Sequence, residues 1–390
     1  MRNSSYDVVI AGAGPAGLSL AAAFSGAPLR IALVERAPSS ELANPQFDGR
    51  EIALTQASIQ RLQRLGAWQR LTPSEIAPLL KARVHNGASP FALNFVSRRR
   101  DEPIGALVPN CAIRRVLFET VREQTNCITI DGHAVASIRT DAAAAHVVLA
   151  DGDTLDAQLA VAADTRFSSL RQSQGITARM FDFGRSMLVC RMEHTRAHNQ
   201  VATEWFAHGQ TIAMLPLNGA MSSFVLTLPM REMDALAQLS PGAFAAEAQR
   251  RTLGRWGAMK LASARHVYPL VAVYANRFVT QRFALMGDAA VGMHPVTAHG
   301  YNFGLRGATT LAAEILRSAR DCGDVGRMSG LQRYERSHRR ATLPLFEATN
   351  ALARLYSDER ALPRMVRAAG LRLMAAVTPV RHAVEASLSA

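Results

Sequence analysis

Positions 8 to 29 carry no charge, and they open with Val8-Val9-Ile10-Ala11, a run too short for a helix and β-branched enough for a buried parallel strand. Glycines at 12, 14 and 17 follow at once, so the pattern predicts strand, tight turn and helix in immediate succession. A second apolar run, Ile31-Ala32-Leu33-Val34, predicts a strand that ends in Glu35. Helical patterns run from Ser58 to Leu65, closed by Gly66, and from Arg114 and Arg115 through Leu117 to Val121. His146 to Leu155 reads as a hairpin around Asp151-Gly152, and Leu159-Ala160-Val161-Ala162-Ala163 as an apolar strand ending at Asp164.

After residue 180 the texture changes. Val201–Phe206, Thr211–Leu217 and Met221–Leu228 are separated by His208-Gly209 and Asn218-Gly219, which predicts three successive antiparallel strands. Phe283-Ala284-Leu285-Met286 then restores the buried-strand pattern. The expected organisation is an α/β domain made from 1–75, 100–175 and 270–340, a β-sheet domain from 76–99 and 176–269 threaded into it, and helices over 341–390. No internal repeat or low-complexity segment interrupts this reading.

Gly12-Ala13-Gly14-Pro15-Ala16-Gly17 has the G-x-G-x-x-G spacing of a dinucleotide site. Gly12 permits the turn, Gly14 lets a pyrophosphate approach the backbone, and Gly17 lets the new helix pack on the strand, its free N–H groups facing the phosphates. Glu35, eighteen residues after Gly17, stands near the position from which a carboxylate takes the ribose hydroxyls. A signal peptide or membrane span would also lack charge, but four glycines and two prolines lie within 8–29, Asp7 abuts its start and only Arg2 precedes it as a base. The fingerprint alone does not separate NAD from FAD. Paired with Gly287-Asp288-Ala289-Ala290 far along the chain, it points to FAD.

The net charge of +13 changes little. Lysine occurs only at 81 and 260, so the excess is arginine beside abundant alanine, as a GC-rich coding bias would produce, and no nucleic-acid-binding signature accompanies it. Locally, Arg360, Arg364, Arg367, Arg372 and Arg381 interleave with Leu362, Met365, Val366, Leu371, Leu373, Met374 and Val377 without an acid. That is the composition of a basic amphipathic helix for an anionic membrane surface or a partner, and equally of a terminal helix packed on its own domain. Cys111, Cys127, Cys190 and Cys322 have neither C-x-x-C spacing nor metal-ligand partners, so no metal is expected and a reducing, cytoplasmic compartment is the simplest reading, with a peripheral position at the inner membrane surface as its extension.

With Gly12, Gly14, Gly17 and Glu35, the segment Asp164-x-x-x-Ser168-x-x-Arg171, and Gly287-Asp288-Ala289-Ala290 leading to His294-Pro295, the chain resembles the single-component flavin-dependent aromatic hydroxylases over nearly its full length. Asp48-Gly49-Arg50-Glu51-Ile52-Ala53-Leu54, Leu65-Gly66-x-Trp68, Tyr268-Pro269-Leu270 and the run from His294-Pro295-Val296 to Gly300-Tyr301-Asn302-Phe303-Gly304-Leu305 resemble the ubiquinone-biosynthesis hydroxylases. Thr297-Ala298-His299-Gly300 is most similar to the 5-demethoxyubiquinol hydroxylase branch. The implied fold is a Rossmann-like FAD-binding domain of the p-hydroxybenzoate hydroxylase kind, with an inserted antiparallel substrate sheet and a C-terminal helical region. The implied activity is hydroxylation of a prenylated phenol or quinol with O2, through a flavin C4a-hydroperoxide, with NADPH or NADH as transient donor. An FAD-dependent reductase or dehydrogenase of an isoprenoid or quinone, and a non-catalytic flavin-binding scaffold, stay open; halogenation is disfavoured because no Trp-x-Trp-x-Ile-Pro run is present and neither lysine is suitably set.

The resemblance also assigns residues. Asp288 would accept from the ribityl chain, with Gly287 allowing close approach, and the segment from Pro295 would open a helix whose first N–H groups, at Gly300, Tyr301 and Asn302, face the flavin ring. Arg50 would reach the flavin from the other side, Arg114 the pyrophosphate, and Asp164 both the FAD and the place where the nicotinamide visits. Ala16 and Arg36 complete the cofactor set. His294 and His299 are the candidate proton relay, and Trp205, Met214 and Pro216 the candidate wall of an apolar pocket, or core. Three positions depart from the family pattern: Thr165 replaces a glycine, Ala298-His299-Gly300 replaces Gly-Gln-Gly, and Gly307 replaces an aspartate.

Overall fold

The computed structural model describes residues 4–87, 92–97, 102–207, 209–295 and 299–357. The expected basic helix over 360–382 therefore lies outside the described residues. Ser4–Ala11 forms the centre of a parallel sheet whose order is Cys127–Asp131, Ile31–Glu35, Ser4–Ala11, Thr154–Ala162, Phe283–Leu285. Residues 8–11, 31–34 and 159–162 are buried at its centre, whereas the edge strand Cys127–Asp131 is only partly covered. The helix Pro15–Ala22 packs on one face together with Asn110–Arg122 and Gly300–Cys322. Thr154–Ala162 is a single strand with three neighbours: one edge runs parallel to Ser4–Ala11 throughout, while on the other edge its half-buried first part pairs antiparallel with Ala145–Leu149 and its fully buried end runs parallel to Phe283–Leu285. The sequence pattern splits it because Asp156 and Gln158 interrupt the apolar run.

A second sheet runs in the order Val291–Gly292, His266–Ala275, Ala178–His194, Met221–Pro229, Gln210–Pro216, Val201–Ala207, Lys81–Asn86, Ala92–Val96. The three hairpin strands expected from the turn residues lie in its centre. One face is covered by the helices Met230–Ala237 and Pro241–Arg251, and its core includes Leu188, Cys190, Trp205, Met214, Phe224 and Phe244. The other face, with Met187, Val189 and Leu270, looks toward the parallel-sheet domain, where Val189 and His266 crowd Gly49. A Cβ on Gly49 would lie 2.7 Å from Val189 Cγ2 and 2.8 Å from His266 Cδ2.

Two expected boundaries move. Ala77–Leu79 joins Glu51–Thr55 and Gly105–Pro109 in a separate three-stranded sheet, so 76–79 is not part of the large one. Met328–Ser357 is one helix through Pro344, packed along Gly300–Cys322, so no boundary falls at 340. Among the described residues no helix is long and apolar enough to cross a membrane.

Candidate functional site

Three segments far apart in sequence meet at Ala16. Gly12 has φ +108°, and a Cβ there would lie 2.8 Å from the Ala163 carbonyl oxygen; a Cβ on Gly17 would lie 1.9 Å from the Gly12 carbonyl oxygen. Both glycines are thus demanded by contact. Gly14 differs: a side chain there meets nothing within 4 Å, which leaves open space in front of the amides at the start of Pro15–Ala22. Ala16 itself faces the second and third segments, for its Cβ would be 2.8 Å from a Cβ on Gly287 and 3.5 Å from one on Gly304. Tyr301 Oη lies 3.1 Å from Ser19 Oγ and secures the same junction.

The carboxylates around this junction are held in different ways. Glu35 accepts from the Ala13 amide at 2.6 Å and the Ala37 amide at 3.1 Å, which orients it over the glycine loop; each oxygen keeps a second lone pair for a hydroxyl. Arg36 beside it is exposed. Asp288 Oδ2 accepts from Arg166 Nη2 at 2.7 Å, while its Oδ1 has no partner among the described residues. Arg166 also donates to the Val271 carbonyl, and fully buried Arg171 donates to the carbonyls of Arg166 and Ala289, so the two arginines lock the Asp164 segment to the Gly287–Ala289 turn. Asp164 Oδ1 is buried without a partner, and burial pushes its pKa up.

On the opposite side, Arg50 is paired with Asp48, which Asn110 Nδ2 also contacts at 2.8 Å, and the Tyr268 hydroxyl donates to the Asp48 carbonyl at 2.7 Å. Arg114 sits on Asn110–Arg122 with its Nε buried and unpartnered. Sequence reasoning missed Arg166, the partner of Asp288, and Arg191, which binds the covered carboxylate of Glu51 at 2.6 Å from the far sheet. Burial pushes Glu51 up to about 6 against the pull of Arg191. The one sequence signal for Arg191 is that a buried carboxylate such as Glu51 needs a cation.

The segment after Val291–Gly292 brings His294 into the junction and Pro295 with it; 296–298 lie outside the described residues. His294 is buried, packs edge-on to Phe183 at 4.7 Å, and is pushed down to about 4 by burial and then by Arg166 and Arg185. Burial therefore favours its neutral imidazole. His299 is buried immediately before Gly300–Cys322, beside the Phe303 ring at 5.7 Å. Gly300 opens that helix with free space at its Cβ position.

Asn302 proves to be a clamp: its Oδ1 accepts from the Thr55 amide at 3.1 Å and its Nδ2 donates to the Ala53 carbonyl at 2.8 Å, so the side chain is committed to strand Glu51–Thr55. Gly307 makes room for His338, whose Cε1 would be 2.9 Å from a Cβ there. Trp205, Met214 and Pro216 do not wall the junction. Strand alternation puts Trp205 and Met214 under the covering helices, with Trp205 Nε1 donating to the Gly87 carbonyl at 2.9 Å, and Pro216 shares their register; all three are core on the far side of the sheet.

The open approach at Gly14, the unpartnered Arg114 Nε and Asp164 Oδ1, and the spare Asp288 Oδ1 are the complement of an extended ligand with a diphosphate and hydroxyls. The profile of a family described as an FAD binding domain matches residues 5–344. The chain is 41% identical over 388 residues to a ubiquinone hydroxylase of Neisseria meningitidis, covering 98% of this chain and 84% of that protein. It is 32% identical over 376 residues to a ubiquinone hydroxylase of Rhodospirillum rubrum, covering 96% of this chain and 87% of that one. The crystal structure of a p-nitrophenol 4-monooxygenase from Pseudomonas putida matches with a TM-score of 0.77 over 99% of both chains at 18% identity, a likeness of fold.

Proposed function

The chain belongs to the FAD-binding-domain family that includes the ubiquinone hydroxylases, and from that premise we propose that it hydroxylates the ring of a prenylated phenol or quinol, using O2 and electrons from NADPH or NADH. The observation that carries this reading is the junction at Ala16, where a glycine loop with open space at Gly14 and a helix N-terminus meet the Gly287 turn and Gly304. Bound FAD, once reduced, supplies the activation of oxygen.

The chain's own residues bind, orient and enclose. The amides at Gly14 to Ala16 and the Arg114 guanidinium would hold the diphosphate, Glu35 the ribose hydroxyls, and Asp288 Oδ1 the ribityl chain. Arg50 and the first turn at Gly300 and Tyr301 would bracket the ring, the helix end favouring negative charge on it. Asn302 acts through Glu51–Thr55 by fixing how that strand meets the helix. His294, neutral at pH 7, gives or takes a hydrogen bond without becoming charged. The large sheet, closing over the junction, would exclude water from the substrate. A lipid-borne substrate would also give the arginines of 360–382 a membrane surface to meet.

Purified protein should be yellow, and with NADPH or NADH it should consume oxygen faster when a short-chain prenylated phenol is added, with an oxygen atom in the product. Substrate reduction without oxygen uptake would replace this reading with a reductase. A colourless protein that takes up no added FAD would remove both.

A further inference from the structure

Glu204 stands in the middle of Val201–Ala207, and the sheet register fixes its direction. Directly opposed residues share a face, and they form the row Leu93, Val84, Glu204, Ala213, Val225, Val189, His266. Val189 and His266 in that row are the side chains that crowd Gly49, next to Arg50. Glu204 therefore lies on the sheet face that meets Gly49, three strands from Val189, while its neighbour Trp205 points into the core beneath the helices.

Its company is apolar. The row neighbours are Val84 and Ala213, and Ala202 and Phe206 flank it along the strand on the same face. No hydrogen bond or ion pair to its carboxyl is present among the described residues. The cations on this face of Ala178–His194 are engaged elsewhere: Arg185 donates to the Gly209 carbonyl and Arg191 holds Glu51. Desolvation alone pushes Glu204 up to about 8, although the residue keeps part of its surface. A desolvated carboxyl without a partner is costly to keep for stability and is characteristic of a site awaiting a ligand.

We propose that Glu204 receives the ring hydroxyl of the substrate, and that its carboxyl selects an uncharged phenol or quinol against an aromatic carboxylate. This rests on the function proposed above. As a carboxylic acid the group donates to the ring oxygen and accepts from the ring hydroxyl, so one side chain satisfies both atoms. A carboxylated ring would bring a second acid beside a carboxyl that has no cationic partner among the described residues.

The test uses the full-length, FAD-loaded protein and two variants, Glu204→Gln and Glu204→Leu, with 2-methoxyphenol and 4-hydroxybenzoate as probes. Binding is read from the flavin difference spectrum without reductant, and turnover as kcat and KM separately. The expected result is a Kd and KM for the phenol raised roughly tenfold or more in Glu204→Leu, which corresponds to about 1.4 kcal/mol, with Glu204→Gln between it and the wild type. FAD stoichiometry should not change, the wild type should prefer the phenol to the acid, and a protonated-carboxyl band should shift in the infrared spectrum on phenol binding and vanish in both variants. Unchanged phenol binding in both variants, or equal binding of the acid by the wild type, overturns the inference even where hydroxylation is intact. Phenol binding that depends on Glu204 in a protein that consumes no oxygen supports the inference and overturns the hydroxylase.

Discussion

A Cβ on Gly17 would sit 1.9 Å from a backbone oxygen that has no rotamer to escape into, whereas a Cβ on Gly14 would occupy only open space. The two glycines share a fingerprint but fail differently. Gly17→Ala should cost about 3 kcal/mol or more in urea unfolding of the apoprotein, because helix and loop must separate, and it should lose FAD as a consequence. Gly14→Ala should leave apoprotein stability within about 0.5 kcal/mol and still weaken FAD, since its methyl group enters the space in front of the helix amides. Flavin absorbance after gel filtration reads the second effect, and full FAD retention by Gly14→Ala would remove the diphosphate from that space. Glycines of this kind were legible in the sequence because sterics fix both their identity and their spacing. Arg166, Arg191 and Glu204 were not, since each gains its meaning from a partner, or the lack of one, across the fold: Asp288 lies 122 positions from Arg166 and Glu51 lies 140 positions from Arg191.

Asn302 joins two elements that otherwise have separate cores to follow, the helix Gly300–Cys322 and the strand Glu51–Thr55. Asn302→Ala would leave the buried Thr55 amide and the Ala53 carbonyl each without its side-chain partner, at about 1–3 kcal/mol apiece. The variant should unfold at lower urea, exchange the Thr55 amide faster than its neighbours, and bind FAD less tightly because Arg50 precedes that strand; an unchanged exchange rate at Thr55 would show that the clamp holds nothing. Asn302→Asp tests the chemistry, keeping the acceptor for Thr55 while setting a carboxylate oxygen against the Ala53 carbonyl, so it should rescue little. At this scale the hairpins at Asn218-Gly219 and the strand–turn–helix at Gly12 could be read directly from turn chemistry and period. The seventeen-residue strand Ala178–His194 could not, because its register shifts between Asp182 and Ser186 and Gly184 takes φ +63° in the gap. Alternation did separate the two faces of the large sheet, but period 2 cannot say which face looks outward: Trp205 and Met214 fall in the core while Glu204 and Ala213 share the opposite face.

Across the whole molecule, buried ionisable groups pull stability in opposite directions with pH. His294 and His338 are held neutral, each pushed down to about 4 by burial, with Arg306 adding to the effect at His338. Both are depressed below the value of about 6.5 in an unfolded chain, so the unfolded state takes up protons first and the stability they leave intact above pH 6.5 is lost as pH falls toward 4. Glu51 and Glu204, pushed up to about 6 and about 8, do the reverse: their folded forms bind the proton first, so their contribution is complete below about 4.3 and is lost as pH rises through those values. Between about pH 6 and 4.5 two groups oppose two, so a nearly flat stability curve would conceal all four. Comparison with a single variant exposes them. His338→Leu should be less stable than the wild type at pH 7, having lost the ring stacked on Tyr334, and the gap should narrow by about 2 kcal/mol at pH 5, where the wild type carries an uncharged imidazole that its unfolded chain would protonate. Urea unfolding of both proteins at the two pH values measures that difference directly, and a gap that stays constant would mean that His338 already shares its charge with solvent in the folded protein.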